Sequence, residues 1–138
     1  MFKYLQNRSF LIMDNKRIKK ILLDLDKSKA IKFIILFGSK ARGTANKLSD
    51  TDIAVYYQGN NEERFKFRIK ALGELPDNID LQIFQDLPLL LKKEILSGKV
   101  IYYDNFQFIF DQFMKIIREF DSFEKYYLEY IASLGAET

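Results

Sequence analysis

The chain contains no cysteine and no histidine. The first absence excludes disulfides, zinc–thiolate sites and thiol nucleophiles. The second removes the commonest general base and the commonest transition-metal ligand. Any catalysis must rest on carboxylates, lysine, tyrosine, serine or threonine, or on a hard metal ion held through oxygen. Only two prolines and six glycines occur in 138 residues, and no linker, repeat or low-complexity tract is seen. No stretch reaches the roughly 18 consecutive apolar residues of a transmembrane helix, so no membrane span is expected. The N-terminal MFKYLQNRSFLIM lacks the hydrophobic region and small-residue cleavage site of a signal peptide. The cytoplasm is the expected location.

Excess charge is also small. Twenty-two basic and 19 acidic residues leave a net charge of +3. That balance favours the approach of an anionic substrate but is no nucleic-acid signature. What the chain does have is apolar content, 48% of its residues, which suits one folded domain over 1–138 and argues against disorder.

The pattern alternates helices and strands. Residues 14–27 read as a helix capped by Asp14, with Ile18, Ile21, Leu22 and Leu25 on one face. Ile31 to Phe37 (IKFIILF) reads as a buried strand ended by Gly38. GSKARG then opens a short helix or turn. Thr51 to Tyr57 is a second expected strand, closed by Gly59-Asn60-Asn61. Residues 62–73 read as a helix with Phe65, Ile69 and Leu72 inward. Ile79 to Phe84 is a third strand, 88–97 a helix closed by Gly98, and Val100 to Tyr103 a short strand. Residues 105–134 read as helical. About a dozen residues join the first two strands, near the minimum for a parallel crossover, so a mixed sheet is expected. The fold class is α+β (mixed α/β): a small mixed sheet flanked by helices, with C-terminal helices.

Chemistry concentrates in GSKARGTANKLSDTDIAV, residues 38–55. Gly38 and Ser39 end a buried strand and begin a turn. A backbone bare of side chain at Gly38 lets a phosphate approach, and the N–H groups of the next turn point at the anion. The Ser39 hydroxyl adds a donor, and Arg42 lies one turn on, within reach of a phosphate oxygen. Asp50 and Asp52 are two apart on an expected strand, which puts both carboxylates on one face with Ala54 and Tyr56. Like charges held so close repel, and a divalent cation between them relieves the repulsion. Oxygen-only ligands select Mg²⁺ or Mn²⁺. Asp80 repeats the pattern between Ile79 and Leu81 on the third strand; Asp77, in the preceding turn, is a rival acid. If these strands pair, three carboxylates and two metals make the device for in-line phosphoryl transfer. The bland reading of the same residues is an ordinary strand-to-helix turn followed by a solvated strand edge.

Gly38-Ser39, then Asp50-x-Asp52, then an isolated Asp80 in an apolar strand resembles the nucleotidyltransferase superfamily that includes DNA polymerase beta. The string GSKARGTANKLSDTDIAV looks like its smallest members, the minimal nucleotidyltransferases (MNT) of prokaryotes, which commonly pair with a HEPN-domain partner as a toxin–antitoxin system. The resemblance covers roughly residues 31–104, the expected catalytic core, with 105–138 a C-terminal helical segment. It implies that Gly38 and Ser39 hold the triphosphate, that Asp50 and Asp52 bind two Mg²⁺ ions, and that Asp80 binds one and helps deprotonate the acceptor. Arg42 matches the basic position of the short motif. The implied donor is ATP, the transferred group AMP, and the acceptor a tyrosine hydroxyl of a HEPN toxin. Transfer to a small molecule or to RNA is an alternative; a non-catalytic antitoxin acting by binding alone is another. The intact Asp50, Asp52 and Asp80 argue against that last reading, because nothing structural calls for clustered acids on a sheet face.

The C-terminal segment is unusually aromatic. Phe106, Phe110, Phe113, Ile117 and Phe120 recur at three- and four-residue spacing, and Tyr127, Ile131 and Leu134 continue the stripe. They are expected either to cover the sheet or to form a partner or homo-oligomer interface. Asp121-Ser122-Phe123-Glu124 resembles a helix cap, so two helices with a break near Asp121 are expected.

Overall fold

The computed structural model describes residues 14–38 and 51–136. Four strands form one sheet: β1 (Ile31–Phe37), β2 (Thr51–Tyr57), β3 (Ile79–Ile83) and β4 (Lys99–Tyr103). Their order across the sheet is β3-β2-β1-β4. β1 is antiparallel to both β2 and β4, and β2 is parallel to β3, so the sheet is mixed as expected. Helices α1 (Asn15–Leu25) and α2 (Asn61–Glu74) cover one face. Helices α3 (Leu89–Ile95) and α4 (Phe106–Ala136) cover the other, together with Phe84 of the 3₁₀ turn Phe84–Asp86 that leads from β3 to α3.

β1 explains why the middle of the sheet is dry. Its apolar run is buried on both sides, Ile34 and Leu36 toward α1 and α2, Phe33 and Ile35 toward α3 and α4. Ile31 and Phe33 are two apart yet belong to opposite cores. A register irregularity between them shifts the phase of the pleat.

Local signals set the helix starts. The Asp14 carboxylate accepts from Arg17 N–H at 2.9 Å, as its expected capping role requires. Asn60 and Glu63 form a reciprocal capping box at the start of α2. Between α1 and β1 the buried Asp26 carboxylate accepts from Ala30 N–H at 2.9 Å and Ile31 N–H at 2.8 Å. It thereby stitches a turn in which Lys29 takes a positive φ of 57°.

Three expectations are corrected. Phe65 and Ile69 of α2 are exposed, 62% and 51%, while Phe67 and Ala71 are buried and Leu72 only partly so. The apolar residues of α2 are too dispersed for periodicity to pick a face, and stacking of Phe67 on Tyr57, 4.5 Å between ring centroids, decides it. The C-terminal segment is one helix, not two. Residues 121–134 contain neither proline nor glycine, so the cap-like Asp121 and Ser122 sit inside α4 at a cost of a few tenths of a kcal/mol each (~0.5). The aromatic stripe also divides differently: Ile109 and Ile116 are buried and Phe113 packs against them, whereas Phe106, Phe110 and Ile117 are exposed.

Candidate functional site

The site lies on one edge of the sheet, where the C-terminal end of β1 meets the N-terminal ends of β2, β3 and β4. Asp52 pairs with Phe37 on the β1 side and with Asp80 on the β3 side. In a parallel pair, residues in register project to the same face. The two acids therefore stand side by side on strands about 5 Å apart. Both are half-buried, on the face that carries Ala54 and Gln82. The condition set by the sequence, that the second and third strands pair, is met. Asp77 lies exposed in the turn before β3, away from this row.

Gly38 closes the site from the β1 side. Its φ is +80°, a left-handed conformation that disfavours any side chain. A Cβ here would also overlap Oδ2 of Asp52, so the carboxylate lies directly against the bare backbone. Two separate constraints thus require glycine at this point, one torsional and one steric. Further along the edge, a Cβ on Gly98 would run into the Leu36 carbonyl oxygen, which lets β4 begin tight against β1.

Gln82 was not singled out by the sequence. Its Nε2 donates to both oxygens of Asp80, at 3.3 and 3.1 Å. Period-2 spacing from Asp80 was the available signal, since residues two apart on a strand share a face. Gln82 also lines a cleft of about 400 Å³ along the outer edge of β3, with Phe65, Arg68 and Asp86. Arg68 donates to the Leu81 carbonyl at 2.8 Å, covering part of that free edge. Arg64 contacts the Asp86 carboxylate at 2.7 Å and donates to the Gly59 carbonyl at 2.7 Å. Hydrogen bonding to Asp86 raises the guanidinium pKa further above its usual value. The pair ties the turn before α2 to the turn after β3, and so braces the strands that carry both acids.

Among the described residues, no three acids converge as a metal-binding group. Asp52 and Asp80 make two, and the third expected acid, Asp50, lies outside the described residues with Ser39 and Arg42. The donor set present is all oxygen, and Gly38 keeps side-chain bulk away from the Asp52 carboxylate. Both features fit a hard divalent cation.

Residues 16–107 match the polymerase beta nucleotidyltransferase domain. The chain belongs to that family. It is an enzyme of nucleotidyl transfer by descent, with the fold the family implies. A relative from Methanocaldococcus jannaschii, named as a candidate protein adenylyltransferase, is 35% identical over 91 residues, 64% of this chain and 70% of the relative. Among solved structures, a chain from a toxin–antitoxin complex with AMP-PNP superposes with a TM-score of 0.70 at 24% identity, covering 88% of this chain and 98% of that one. A chain from a complex of tri-AMPylated Shewanella oneidensis HEPN toxin with MNT antitoxin gives 0.63 at 22% identity, covering 87% and 94%. These two likenesses establish the fold. No helix among the described residues is long and apolar enough to cross a membrane.

Proposed function

We propose that the chain is a Mg²⁺-dependent adenylyltransferase that moves AMP from ATP onto a tyrosine hydroxyl of a HEPN-type toxin and so acts as its antitoxin. The observation that carries this reading is the in-register pair Asp52 and Asp80 beside a glycine whose missing side chain makes room for the Asp52 carboxylate. Support comes from the relative named for protein adenylylation and from the AMP-PNP and AMPylated-toxin complexes that share the fold.

In this reading Gly38 and Ser39 receive the triphosphate, and Arg42 steadies one of its oxygens. Asp50, Asp52 and Asp80 hold two divalent ions, Mg²⁺ or Mn²⁺. Bound there, such ions would supply positive charge to offset that of the phosphates. Asp80, oriented by the Gln82 amide, accepts the hydroxyl proton. The acceptor oxygen forms a bond to the α-phosphorus, the bond from that phosphorus to the bridging oxygen breaks, and pyrophosphate leaves.

The test is transfer of label from ATP labelled at the α-phosphate onto a purified HEPN partner. Asp52→Asn and Asp80→Asn should each abolish transfer while retaining the wild-type fold by circular dichroism. Neutralisation of toxicity by an Asp80→Asn chain that transfers nothing would instead favour an antitoxin acting by binding alone. Label appearing on RNA or on a small-molecule hydroxyl, with none on the protein, would reassign the acceptor.

A further inference from the structure

The sheet-facing residues of α4 do not stop where the domain stops. Ile109, Phe113, Ile116 and Phe120 alternate at four- and three-residue intervals and are buried or half-buried against α3 and the sheet. The same alternation runs on without a break through Phe123, Tyr127, Tyr130 and Leu134. This is one heptad seam, with a positions at 113, 120, 127 and 134 and d positions at 109, 116, 123 and 130. Its first half is covered by the chain itself. Every residue from 121 to 135 is exposed. The helix thus projects about 22 Å beyond its last internal contact while keeping an apolar face.

From this continuity we infer that the projecting half of α4 packs antiparallel against the same segment of a second copy. In an antiparallel coiled coil, a faces d. The register that uses every projecting seam residue pairs Phe123 with Leu134 and Tyr127 with Tyr130, each pair occurring twice about a dyad near residues 128 and 129. Tyr126 and Ile131 flank the seam, and Asp121, Lys125 and Glu129 fall outside it.

Two further observations fit this occupant. With roughly 200 Å² for a full aromatic side chain, the exposed parts of Phe123, Tyr126, Tyr127, Tyr130, Ile131 and Leu134 amount to roughly 600 Å² per copy. That reaches the lower end of a stable interface, about 1,200 Å² in total. Charge also matches. α4 has no basic residue in its own last turn to meet the negative end of the helix dipole. The last turn of α3 carries Lys92 and Lys93, and Lys93 Nζ lies 4.6 Å from the centre of the Phe120 ring, at the base of the projection. The antiparallel register delivers the C-terminal end of each α4 to that lysine pair on the other copy.

Light scattering over a concentration series should show a mass rising from 16.4 kDa toward twice that value. Tyr127→Glu should weaken the association roughly thirtyfold or more, as loss of a central aromatic anchor does. Residue 127 is exposed in the single chain, so the fold should be untouched. Because the chain has no cysteine, the register can be read directly. Under mild oxidation, a mixture of Tyr127→Cys and Tyr130→Cys chains should crosslink about tenfold faster than either alone, because disulfide closure demands close Cα atoms. A chain that stays monomeric at every concentration, a dimer indifferent to Tyr127→Glu, or equal crosslinking of mixed and single samples would each overturn the inference. So would monomers that associate only when a different helical protein is added. Transfer of AMP plays no part in these readouts, so their failure leaves the catalytic reading standing.

Discussion

Replacing Gly38 with alanine tests whether the bare backbone at the end of β1 is part of the site or merely a turn. At φ +80° an L-residue is disfavoured by roughly 1–2 kcal/mol. Loss of glycine's freedom in the unfolded chain returns about 0.4–1 kcal/mol, leaving a torsional cost near 1 kcal/mol. The new Cβ also overlaps Asp52 Oδ2, with the Asp52 Cβ at an ordinary 3.6 Å. Either the carboxylate swings away from its place beside Asp80 or the backbone yields, a further ~1–2 kcal/mol by analogy with overpacking. In an Asp52→Ala background that second contribution disappears, because the overlapping atoms are gone. The expected destabilisation is therefore about 2–3 kcal/mol for Gly38→Ala alone and about 1 kcal/mol when Asp52 is already alanine. Urea denaturation of the four chains of the cycle measures the difference. Calorimetry of ATP with Mg²⁺ should show binding lost or sharply weakened in the single Gly38→Ala chain. Additivity within about 0.5 kcal/mol, together with unchanged metal-dependent ATP binding, would refute the steric coupling between Gly38 and Asp52.

Two further outcomes follow from the scaffold. Asp26→Ala removes both acceptors from the Ala30 and Ile31 N–H groups in a buried turn and should destabilise by about 2–3 kcal/mol, with Asp26→Asn recovering part of the loss, both read by chemical denaturation. Tyr102 has its pKa raised, chiefly by burial and then by the negative charges of Asp104 and Asp26, against a lowering by Lys32. The folded chain therefore holds the phenolic proton more tightly than the unfolded one. Its contribution to stability is complete below the unfolded value of about 10 and is lost as pH climbs through the higher folded value. Tyr102→Phe should flatten part of the fall in stability above pH ~10, and parallel profiles for the two proteins would show that this proton is not linked to folding.

Much of the site was legible because it rests on local rules. The apolar run before Gly38 and the alternation in TDIAVYY place their strands by period and composition alone, and alternation also determines which residues share a face with Asp52. Asp14 marks a helix start because its cap is made within three residues of chain. The same rules misjudged α2 and α4. In α2, Phe65, Phe67, Ile69 and Leu72 offer more than one apolar face, and only stacking of Phe67 on Tyr57 selects one. In α4, a plausible cap at Asp121 was outweighed by an unbroken run of residues compatible with helix.

By itself the sequence determined that no histidine or cysteine could take part in catalysis, and that the candidate carboxylates Asp52 and Asp80 would sit on strands, with a glycine at the end of the strand before them. Tertiary structure decided what those acids can do together. Asp52 and Asp80 are 28 positions apart, and no local propensity specifies that β2 and β3 run parallel with these two residues in register. That register follows from burying Ile53 and Val55 beside Leu81 and Ile83 against α1 and α2. A slip of β3 by one residue would turn Leu81 and Ile83 to the wrong face, and Asp80 with them. The contact between Asp52 and Gly38 is of the same kind. Glycine was visible in the sequence, but its reason, a carboxylate from the neighbouring strand filling the space of the missing Cβ, exists only once β1 and β2 have paired.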